Sequence, residues 1–183
     1  MKIAFTGASG TGKTSVAHYL LSKKCRELSE IPLVGVDSRN LLDNIGLKRA
    51  EFIDHNQYKV FQIMYFSQKM LIESGRDAFL TERSFADGLI YWKMHCDGVA
   101  DPSEKEIITR LCREQTMKYD YHFLFPVGFI PLEDDGYRHQ SPEYHKRFEL
   151  YLESLLNEWG IKYIVVPNSD VPTRAKFVLD CLK

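Results

Sequence analysis

Gly7-Ala8-Ser9-Gly10-Thr11-Gly12-Lys13-Thr14 is a glycine-rich stretch that lies between an apolar run, Lys2 to Thr6, and a helix-like segment that begins at Ser15. It matches the pattern Gly-x-x-x-x-Gly-Lys-Ser/Thr, and a preceding strand with a following helix is the context that this motif requires. Glycines allow the backbone to curl until successive N–H groups point at a polyphosphate, and the positive end of the helix dipole adds to the attraction. The stretch therefore predicts a phosphate-binding loop, or P-loop, over residues 7–15.

The side chains at the end of this loop predict its ligands. Lys13 is expected to reach the β and γ phosphates of ATP, and the hydroxyl of Thr14 is expected to coordinate Mg²⁺. Ser15 can add a further donor near the phosphates. The alternative is a glycine turn that simply ends a strand, but the flanking strand and helix favour the phosphate-binding interpretation.

The composition is that of an ordinary globular protein. The chain has 183 residues, of which 44% are hydrophobic and 27% are charged, and this length is enough to bury one sizeable core. We therefore expect one domain over residues 1–183. With a formal net charge of −1, the chain lacks the strong positive charge that is typical of a dedicated duplex-binding protein. A small basic groove is compatible with this net charge.

Cysteines and histidines show no metal-binding spacing. The four cysteines form no Cys-x-x-Cys pair, which favours core thiols over a zinc site or a disulfide framework. The six histidines show no His-Glu-x-x-His pattern, so we assign none of them to a metal. Because Met1-Lys2 passes directly into the first apolar run, we expect no cleavable leader, and no apolar stretch of the sequence reaches membrane-spanning length. We expect a cytoplasmic protein without a membrane partner.

Five short apolar runs, separated by longer segments of helical pattern, predict the architecture. They are Lys2 to Thr6, Pro32 to Val36, Ala78 to Thr81, Tyr121 to Phe125 and Lys162 to Val166. Alternation of strand and helix indicates an α/β fold in which helices cover both faces of a parallel sheet. We therefore predict a three-layer sandwich with a five-stranded parallel sheet.

Two helices have clear start signals. Ser141-Pro142 precedes apolar residues at spacings of three and four, which continue until Gly160. Asp101-Pro102-Ser103-Glu104 is a capping box, and it predicts a helix that runs to about Lys118. Between the second and third apolar runs, residues at about 38–76 show helical spacing and predict a helical insertion on the substrate side.

A nucleotide-binding fold of this kind also needs an acid at the carboxyl end of a neighbouring strand, to hold Mg²⁺ directly or through water. Glu82 follows the third apolar run and precedes Arg83-Ser84, which would lie at the same rim of the sheet. Glu82 is therefore the second predicted Mg²⁺ ligand, beside Thr14. The alternative is an acid that caps a helix starting at Ser84.

The segment Thr81-Glu82-Arg83-Ser84-Phe85-Ala86-Asp87 resembles the Glu-Arg-Ser motif of deoxynucleoside kinases. The resemblance implies that Glu82 binds Mg²⁺ and that Arg83 lies near the reacting groups. The spacing of the P-loop, this segment and Pro131-Leu132-Glu133-Asp134-Asp135-Gly136-Tyr137-Arg138 is similar to that of small kinases of the nicotinamide riboside kinase-like P-loop group. Together these resemblances span most of the chain and imply a fold of the P-loop nucleoside and nucleotide kinase type.

A hydroxyl acceptor must lose its proton during phosphoryl transfer, so a carboxylate is expected at the end of a strand beside the P-loop strand. Asp37 directly follows the second apolar run, at the position where deoxynucleoside kinases carry a glutamate that acts as base. Substrate positioning and simple helix capping are the alternatives. If the acceptor is already a phosphate, no base is needed and Arg39 becomes the more important neighbour. Otherwise Arg39 is a solvated surface cation.

Arginines in a lid usually neutralise the charge that develops on the transferred phosphoryl group. Arg138 lies in a polar, turn-rich segment at about 127–141, which we predict to be the lid. Arg83 would act from the opposite side of the site. The alternative for both is a surface arginine near the start of a helix.

The helical insertion at about 38–76 predicts the acceptor pocket. Its pair Phe61-Gln62 resembles a segment that deoxynucleoside kinases use to read a base, since glutamine can pair with an amide edge and an aromatic ring supplies a stacking face. Tyr58, Tyr65 and Gln68 are further candidates for substrate contact. Aromatic residues at helical spacing, which here include Phe52, are more often core residues, so core packing is the alternative.

These features predict an ATP-dependent kinase that acts on a nucleoside, a nucleotide or a related small hydroxyl-bearing acceptor. One rival is a kinase for a nucleic acid strand end or modified base, whose basic channel the near-neutral charge neither provides nor excludes. A second is a non-kinase NTPase, although the guanine-reading Asn-Lys-x-Asp signature is absent. A third is a nucleotide-binding regulator, against which the intact Lys13, Thr14 and Glu82 argue. The sequence is compatible with a homodimer.

Overall fold

The computed structural model describes residues 1–23, 28, 30–47, 53–131 and 134–183. Its strands in this part of the chain are β1 (Lys2–Thr6), β2 (Leu33–Val34), β3 (Phe79–Glu82), β4 (Tyr121–Leu124) and β5 (Ile164–Val165). They form one parallel sheet in the order β2-β3-β1-β4-β5. Each predicted apolar run overlaps one strand, so the prediction of a five-stranded parallel sheet is confirmed.

The helices of the described residues are α1 (Lys13–Ser22), α2 (Ser38–Asn44), α3 (His55–Glu73), α4 (Phe85–Cys96), α5 (Pro102–Thr116), α6 (Pro142–Glu158) and α7 (Val171–Cys181). The predicted capping box is present, since Asp101 accepts from the Glu104 amide at 2.9 Å and Glu104 accepts from the Asp101 amide at 3.0 Å. The predicted insertion contains α2 and α3, whereas Phe52 lies outside the described residues.

Side chains alternate between the two faces of β1 and thereby divide the core into two layers. Ile3 and Phe5 pack with buried residues of α1 and α7, such as Val16 and Val178. Ala4 belongs to the opposite cluster, which contains the buried residues of α3, α4 and α6. Helices therefore cover both faces of the sheet, and the predicted three-layer sandwich is confirmed.

The carboxyl ends of β1, β3 and β2 meet at one edge of the sheet because the strands are parallel and adjacent. The P-loop follows β1 at this edge, α4 follows β3, and α2 follows β2. Polar residues from three distant parts of the sequence are thereby brought together. The predicted site residues Thr14, Asp37 and Glu82 all lie on these connections or at their ends.

The described residues contain free thiols but neither a cluster of metal-ligating side chains nor a membrane-spanning helix. Cys96, Cys112 and Cys181 are free thiols, and the fourth cysteine, Cys25, lies outside the described residues. Within the described ranges, no group of three or more His, Cys, Asp or Glu side chains has the arrangement of a metal site. None of the helices in those ranges combines the length and the hydropathy needed to cross a membrane.

Candidate active site

At two positions of the P-loop, close contacts leave no room for a residue larger than glycine. Gly7 has a φ of 130°, and a Cβ there would lie 2.6 Å from the backbone oxygen of Phe125. Gly12 has a φ of 85°, and a Cβ there would lie 2.5 Å from Cδ1 of Ile130. Gly12 also precedes α1, and no side chain of the described residues caps this helix start. The first amides of α1 are therefore left to bind a ligand, as the motif predicts.

Lys13 is folded into the loop that precedes it. Its Nζ donates hydrogen bonds to the backbone oxygens of Gly7, at 2.9 Å, and Ala8, and to Oγ1 of Thr11 at 3.0 Å. Burial, with a smaller contribution from the charge of Arg83, lowers the pKa of Lys13 from its ordinary value to about 7. Phosphate oxygens would supply the negative charge that these carbonyls lack, so the lysine is placed for an anionic ligand.

Thr14 and Glu82 are in direct contact across the strands. The Thr14 hydroxyl donates to Oε2 of Glu82, which ends β3. The two oxygen-bearing side chains predicted as Mg²⁺ ligands therefore converge on one point, and Mg²⁺ prefers a few protein oxygens together with waters and phosphates. This donor set fits the metal. Glu82 does not cap α4, because Ser84 and Asp87 form the capping box of that helix.

Asp87 is a buried residue of this site that sequence reasoning missed. Its carboxylate accepts hydrogen bonds from the hydroxyl of Thr6, from the Gly7 amide at 2.7 Å and from the Ser84 amide at 2.7 Å. It therefore joins the end of β1, the start of the P-loop and the start of α4. The pattern Ser84-x-x-Asp87 is that of a capping box, and this signal could have identified the residue as a cap.

Arg83 has an unusual backbone conformation. Its φ of 73° places it in the left-handed region, and it is the only residue other than glycine with a positive φ in the described part of the chain. Its Nη1 donates to the hydroxyl of Tyr91 at 2.9 Å, and its guanidinium lies 4.9 Å from the centre of that ring. Strained backbone of this kind is found at sites where a side chain must be placed accurately.

A cleft of about 800 Å³ opens between the P-loop, α2, α3 and the predicted lid. Its lining includes P-loop residues 9–15 and nine other predicted site residues: Asp37, Arg39, Tyr58, Phe61, Gln62, Tyr65, Glu82, Arg83 and Arg138. Gly7 and Ala8 are not among the lining residues, because the Gly7 amide is bonded to Asp87 and Ala8 is fully buried. These two residues support the loop from behind.

Gln68 is a correction to the sequence prediction. It lies on an exposed part of α3 and is not among the residues that line the cleft. Gln62 is separated from it by six residues, and at 3.6 residues per turn this spacing places the two side chains on different faces of the helix. Gln62 and Gln68 therefore do not lie on the same face of α3.

The aromatic residues of α3 belong to the core and also line the cleft. Tyr58, Phe61 and Tyr65 are each about 5% exposed or less and belong to the main core cluster. Gln62 is 3% exposed, and its Oε1 has no hydrogen-bond partner among the described residues. Both alternatives considered for this helix, core packing and pocket lining, therefore apply. A buried amide oxygen without a partner is costly unless a ligand satisfies it.

Tyr91 of α4 and Tyr144 of α6 complete this aromatic wall and were missed from the sequence. The Tyr144 hydroxyl lies 2.7 Å from Nε2 of His95, and its ring stacks on His139 with centres 4.0 Å apart. Tyr144 lies within the apolar pattern that follows Ser141-Pro142 and is a buried residue of α6. No local pattern distinguishes a tyrosine at a cleft wall from one in the core, because the difference depends on tertiary contacts.

Asp37 caps α2. Its Oδ1 accepts from the amides of Arg39, at 3.2 Å, and Asn40, at 3.1 Å. The capping alternative therefore describes its contacts, and Asp37 also lines the cleft, so its proposed role as base stays a prediction. Arg39 is not a free surface cation, because it forms an ion pair with Asp135.

The predicted lid segment contacts α2 through an ion pair and a hydrogen bond. Asp135 pairs with Arg39 and, at 3.0 Å, with Nε of Arg138. The Tyr137 hydroxyl donates to the carboxylate of Asp43 at 2.7 Å. Arg138 lines the cleft, and its role as a lid arginine stays a prediction. Leu132 and Glu133 of the predicted segment lie outside the described residues.

Arg174 of α7 supports the P-loop from the other side and was also missed. It is 1% exposed, and its Nη1 donates to the backbone oxygen of Thr11 at 2.7 Å. Its Nε donates to the backbone oxygen of Pro167 at 3.1 Å. It thereby joins the loop after β1 to the loop after β5. No motif marks this arginine, and its contact with Thr11 spans most of the sequence.

Comparisons with known proteins agree with this architecture. A family model described as an AAA domain matches residues 2–174, and no curated protein sequence matches the chain. Deoxyadenosine kinase from M. mycoides with bound dATP is similar in structure, with a TM-score of 0.66 and 15% identity over 100% of this chain and 99% of that one. NadR protein in complex with NR has a TM-score of 0.67 and 18% identity, over 99% of this chain and 50% of NadR.

Thymidylate kinase from Ehrlichia chaffeensis is similar as well, with a TM-score of 0.67 and 15% identity over 100% of this chain and 98% of that one. At such low identities the shared property is the fold, and all three of these proteins have the fold of P-loop kinases. The family match covers nearly the whole described chain. The chain belongs to the AAA domain family, and its fold is that of the P-loop kinases.

Proposed function

We propose that this protein is an ATP-dependent kinase that transfers the γ-phosphoryl group to a nucleoside, a nucleotide or a related small hydroxyl-bearing acceptor. The observation that carries the proposal is the contact between Thr14 and Glu82 at the mouth of a P-loop that shares one cleft with an aromatic pocket. A donor site and an acceptor site thus lie side by side. The kinase fold of the similar structures supports this assignment.

Donor binding is assigned to the P-loop. The amides at the start of α1 would hold the phosphates, and Lys13 would exchange its carbonyl partners for phosphate oxygens. Thr14 and Glu82 would hold Mg²⁺, which neutralises phosphate charge when bound. Asp87 and Arg174 keep the loop in shape through its backbone, so they are positioning residues.

Acceptor binding is assigned to α2, α3 and the lid. The buried Gln62 and the rings of Tyr58 and Phe61 suit a flat heterocycle with an amide edge. Arg83 and Arg138 would neutralise charge on the transferred group. For a hydroxyl acceptor, Asp37 is the carboxylate we assign as base, since its cap hydrogen bonds are made through Oδ1 and leave Oδ2 for a substrate hydroxyl.

Incubation with γ-labelled ATP and Mg²⁺ against nucleosides, nucleotides and short oligonucleotides tests the proposal. We expect label in a small-molecule product and none in a parallel reaction with Lys13→Ala. Label in oligonucleotides alone, with binding that weakens steeply as salt rises, would instead indicate a nucleic acid kinase. ATP hydrolysis that needs no acceptor would indicate a non-kinase NTPase.

A further inference from the structure

Two guanidinium groups from different elements converge on one carboxylate at the acceptor end of the cleft. Arg39 comes from α2 and Arg138 from the lid, and both form ion pairs with Asp135. Arg39 and Arg138 line the cleft, whereas Asp135 does not. Like charges do not gather without an anion between them. Two arginines that line the cleft are therefore held by one negative group that lies beside it.

We propose that Asp135 stands in, as the partner of the two arginines, for a phosphate group of the acceptor to which they turn in the cleft, and that the substrate class is nucleoside monophosphates. This inference rests on the proposed kinase function. A single carboxylate carries one negative charge, which leaves the two arginines with one positive charge in excess. A phosphate monoester carries about −1.5 to −2 at pH 7, so it balances both guanidinium groups. Guanidinium groups also match the geometry of phosphate oxygens.

Exchange of Asp135 for a phosphate has a low cost because these ion pairs lie at the rim. The side chains of Arg39, Arg138 and Asp135 are 50%, 27% and 20% exposed, and exposed ion pairs contribute little to stability. Asp135 does not lose all its partners, since its Oδ1 accepts from the amides of Tyr137 and Arg138 at 3.0 Å. The arginines can therefore change partner while the turn keeps its shape.

The contact between Tyr137 and Asp43 holds the lid on α2 independently of Asp135. Release of the arginines from Asp135 would thus leave the lid docked. The ring of Tyr137 also lies 5.8 Å from the guanidinium of Arg39, and this contact keeps the arginine near the cleft when its anionic partner changes. The local structure therefore allows the two arginines to exchange one anionic partner for another.

A phosphate acceptor also agrees with the contacts of Asp37. An acceptor phosphate oxygen is already mostly deprotonated at pH 7. It forms a new P–O bond to the γ-phosphorus of ATP, and the bond from that phosphorus to the β–γ bridging oxygen breaks. The products are ADP and a nucleoside diphosphate, and no hydroxyl proton has to be removed. Asp37 is then free to act as the cap of α2, which is the role its hydrogen bonds show.

Matched pairs of nucleosides and their 5′-monophosphates, each offered with γ-labelled ATP and Mg²⁺, test this inference. We expect label in nucleoside diphosphates and a kcat/KM at least about tenfold higher for the monophosphate of a pair, since charged hydrogen bonds are worth that much. Label in monophosphates made from nucleosides, with no preference for phosphorylated acceptors, overturns the inference and leaves the kinase proposal intact. Label in neither class overturns both.

Variants separate the roles of the charged residues. Arg39→Ala should raise KM for the monophosphate by about tenfold or more while the Kd for ATP stays within about twofold. Arg76→Ala is the matched control, because Arg76 is exposed, lies outside the cleft lining and bonds to the backbone of Ile72. Asp135→Asn should lower that KM, since it removes the competing charge. Arg39→Ala with an unchanged KM and a normal melting curve contradicts the inference.

Discussion

The donor half and the acceptor half of the cleft are held together in different ways. In the donor half, Lys13, Asp87 and Arg174 are between 0% and 5% exposed, and each makes several hydrogen bonds within the loop or to it. In the acceptor half, Arg39 and Asp135 are 50% and 20% exposed and meet across two separate segments. Buried bonds fix one arrangement, whereas exposed ion pairs can be exchanged. The proposed donor site is therefore built in advance, whereas the ion pairs at the rim of the proposed acceptor site are able to change partners.

The largest effect is expected from a substitution in the donor half. Lys13→Ala should lower turnover by at least roughly 10²–10³-fold, because it removes a positive charge from the transferring group. The fold should survive, because burial of the Lys13 ammonium group is unfavourable. Its lowered pKa shows this, so removal of the amine should not lower the free energy of unfolding by much. Labelled transfer and a thermal melting curve are the two measurements. A variant with near-normal turnover would contradict the assignment of the P-loop.

Asp87→Ala should damage the same half through its scaffold. Loss of the carboxylate leaves the buried donors of Thr6, Gly7 and Ser84 without their common acceptor. We expect the free energy of unfolding to fall by about 2–4 kcal/mol, with ATP affinity reduced as well. Denaturant unfolding and calorimetry measure the two quantities. Asp97→Ala, at the exposed end of α4, is the control, and an equal effect there would contradict a special role for Asp87.

Binding of ATP at the P-loop should be coupled to the uptake of a proton by Lys13. Burial lowers the pKa of Lys13 to about 7, so at pH 8 roughly nine in ten molecules carry a neutral amine at that residue. Phosphate charge favours the ammonium form and raises the pKa again. ATP binding at pH 8 should therefore take up close to one proton, whereas little uptake is expected at pH 6.

Calorimetric titrations with ATP in two buffers of different ionisation enthalpy measure the number of protons taken up on binding. The apparent binding enthalpy should depend on the buffer at pH 8 in the natural protein. Lys13→Met, which keeps the length of the side chain and removes the amine, should lose the dependence. A dependence that persists in this variant would assign the proton to another group.

The smallest effect is expected at Asp37, and it distinguishes a phosphate acceptor from a hydroxyl acceptor. Asn at position 37 keeps an oxygen that can accept the cap hydrogen bonds, so Asp37→Asn should change turnover by less than about threefold if the acceptor is a phosphate. Asp37→Ala should cost about 0.5–2 kcal/mol of stability through loss of the cap. Steady-state kinetics and melting curves measure these effects. A large fall in turnover for Asp37→Asn would restore its role as base and favour a hydroxyl acceptor.

The difference between the two halves also explains what the sequence could predict. The P-loop is contiguous, and its proposed chemistry depends on the backbone of neighbouring residues, so the motif alone is enough to predict it. Glu82 and Arg83 could be placed because a parallel sheet brings the ends of its strands to one edge. These predictions needed only the order of strands and helices.

Residues whose role depends on tertiary contacts could not be predicted. Asp135 gains its role from two arginines, one of which lies 96 positions away in the sequence. Arg174 acts on Thr11 across 163 positions. The error at Gln68 has the same origin, because helical spacing alone did not show which face of α3 borders the cleft. Tyr91 and Tyr144 likewise resemble ordinary core residues until the cleft is visible.

The connection from Thr11 to Arg174 has a consequence for biosynthesis. A ribosome makes the P-loop before it makes two of the residues that support the loop, Asp87 and Arg174. A nascent chain that ends before α7 would have the complete motif but would lack the support of Arg174. Nucleotide binding should therefore be acquired only after α7 has been translated and has docked, and a bound nucleotide would then stabilise the loop in its supported form.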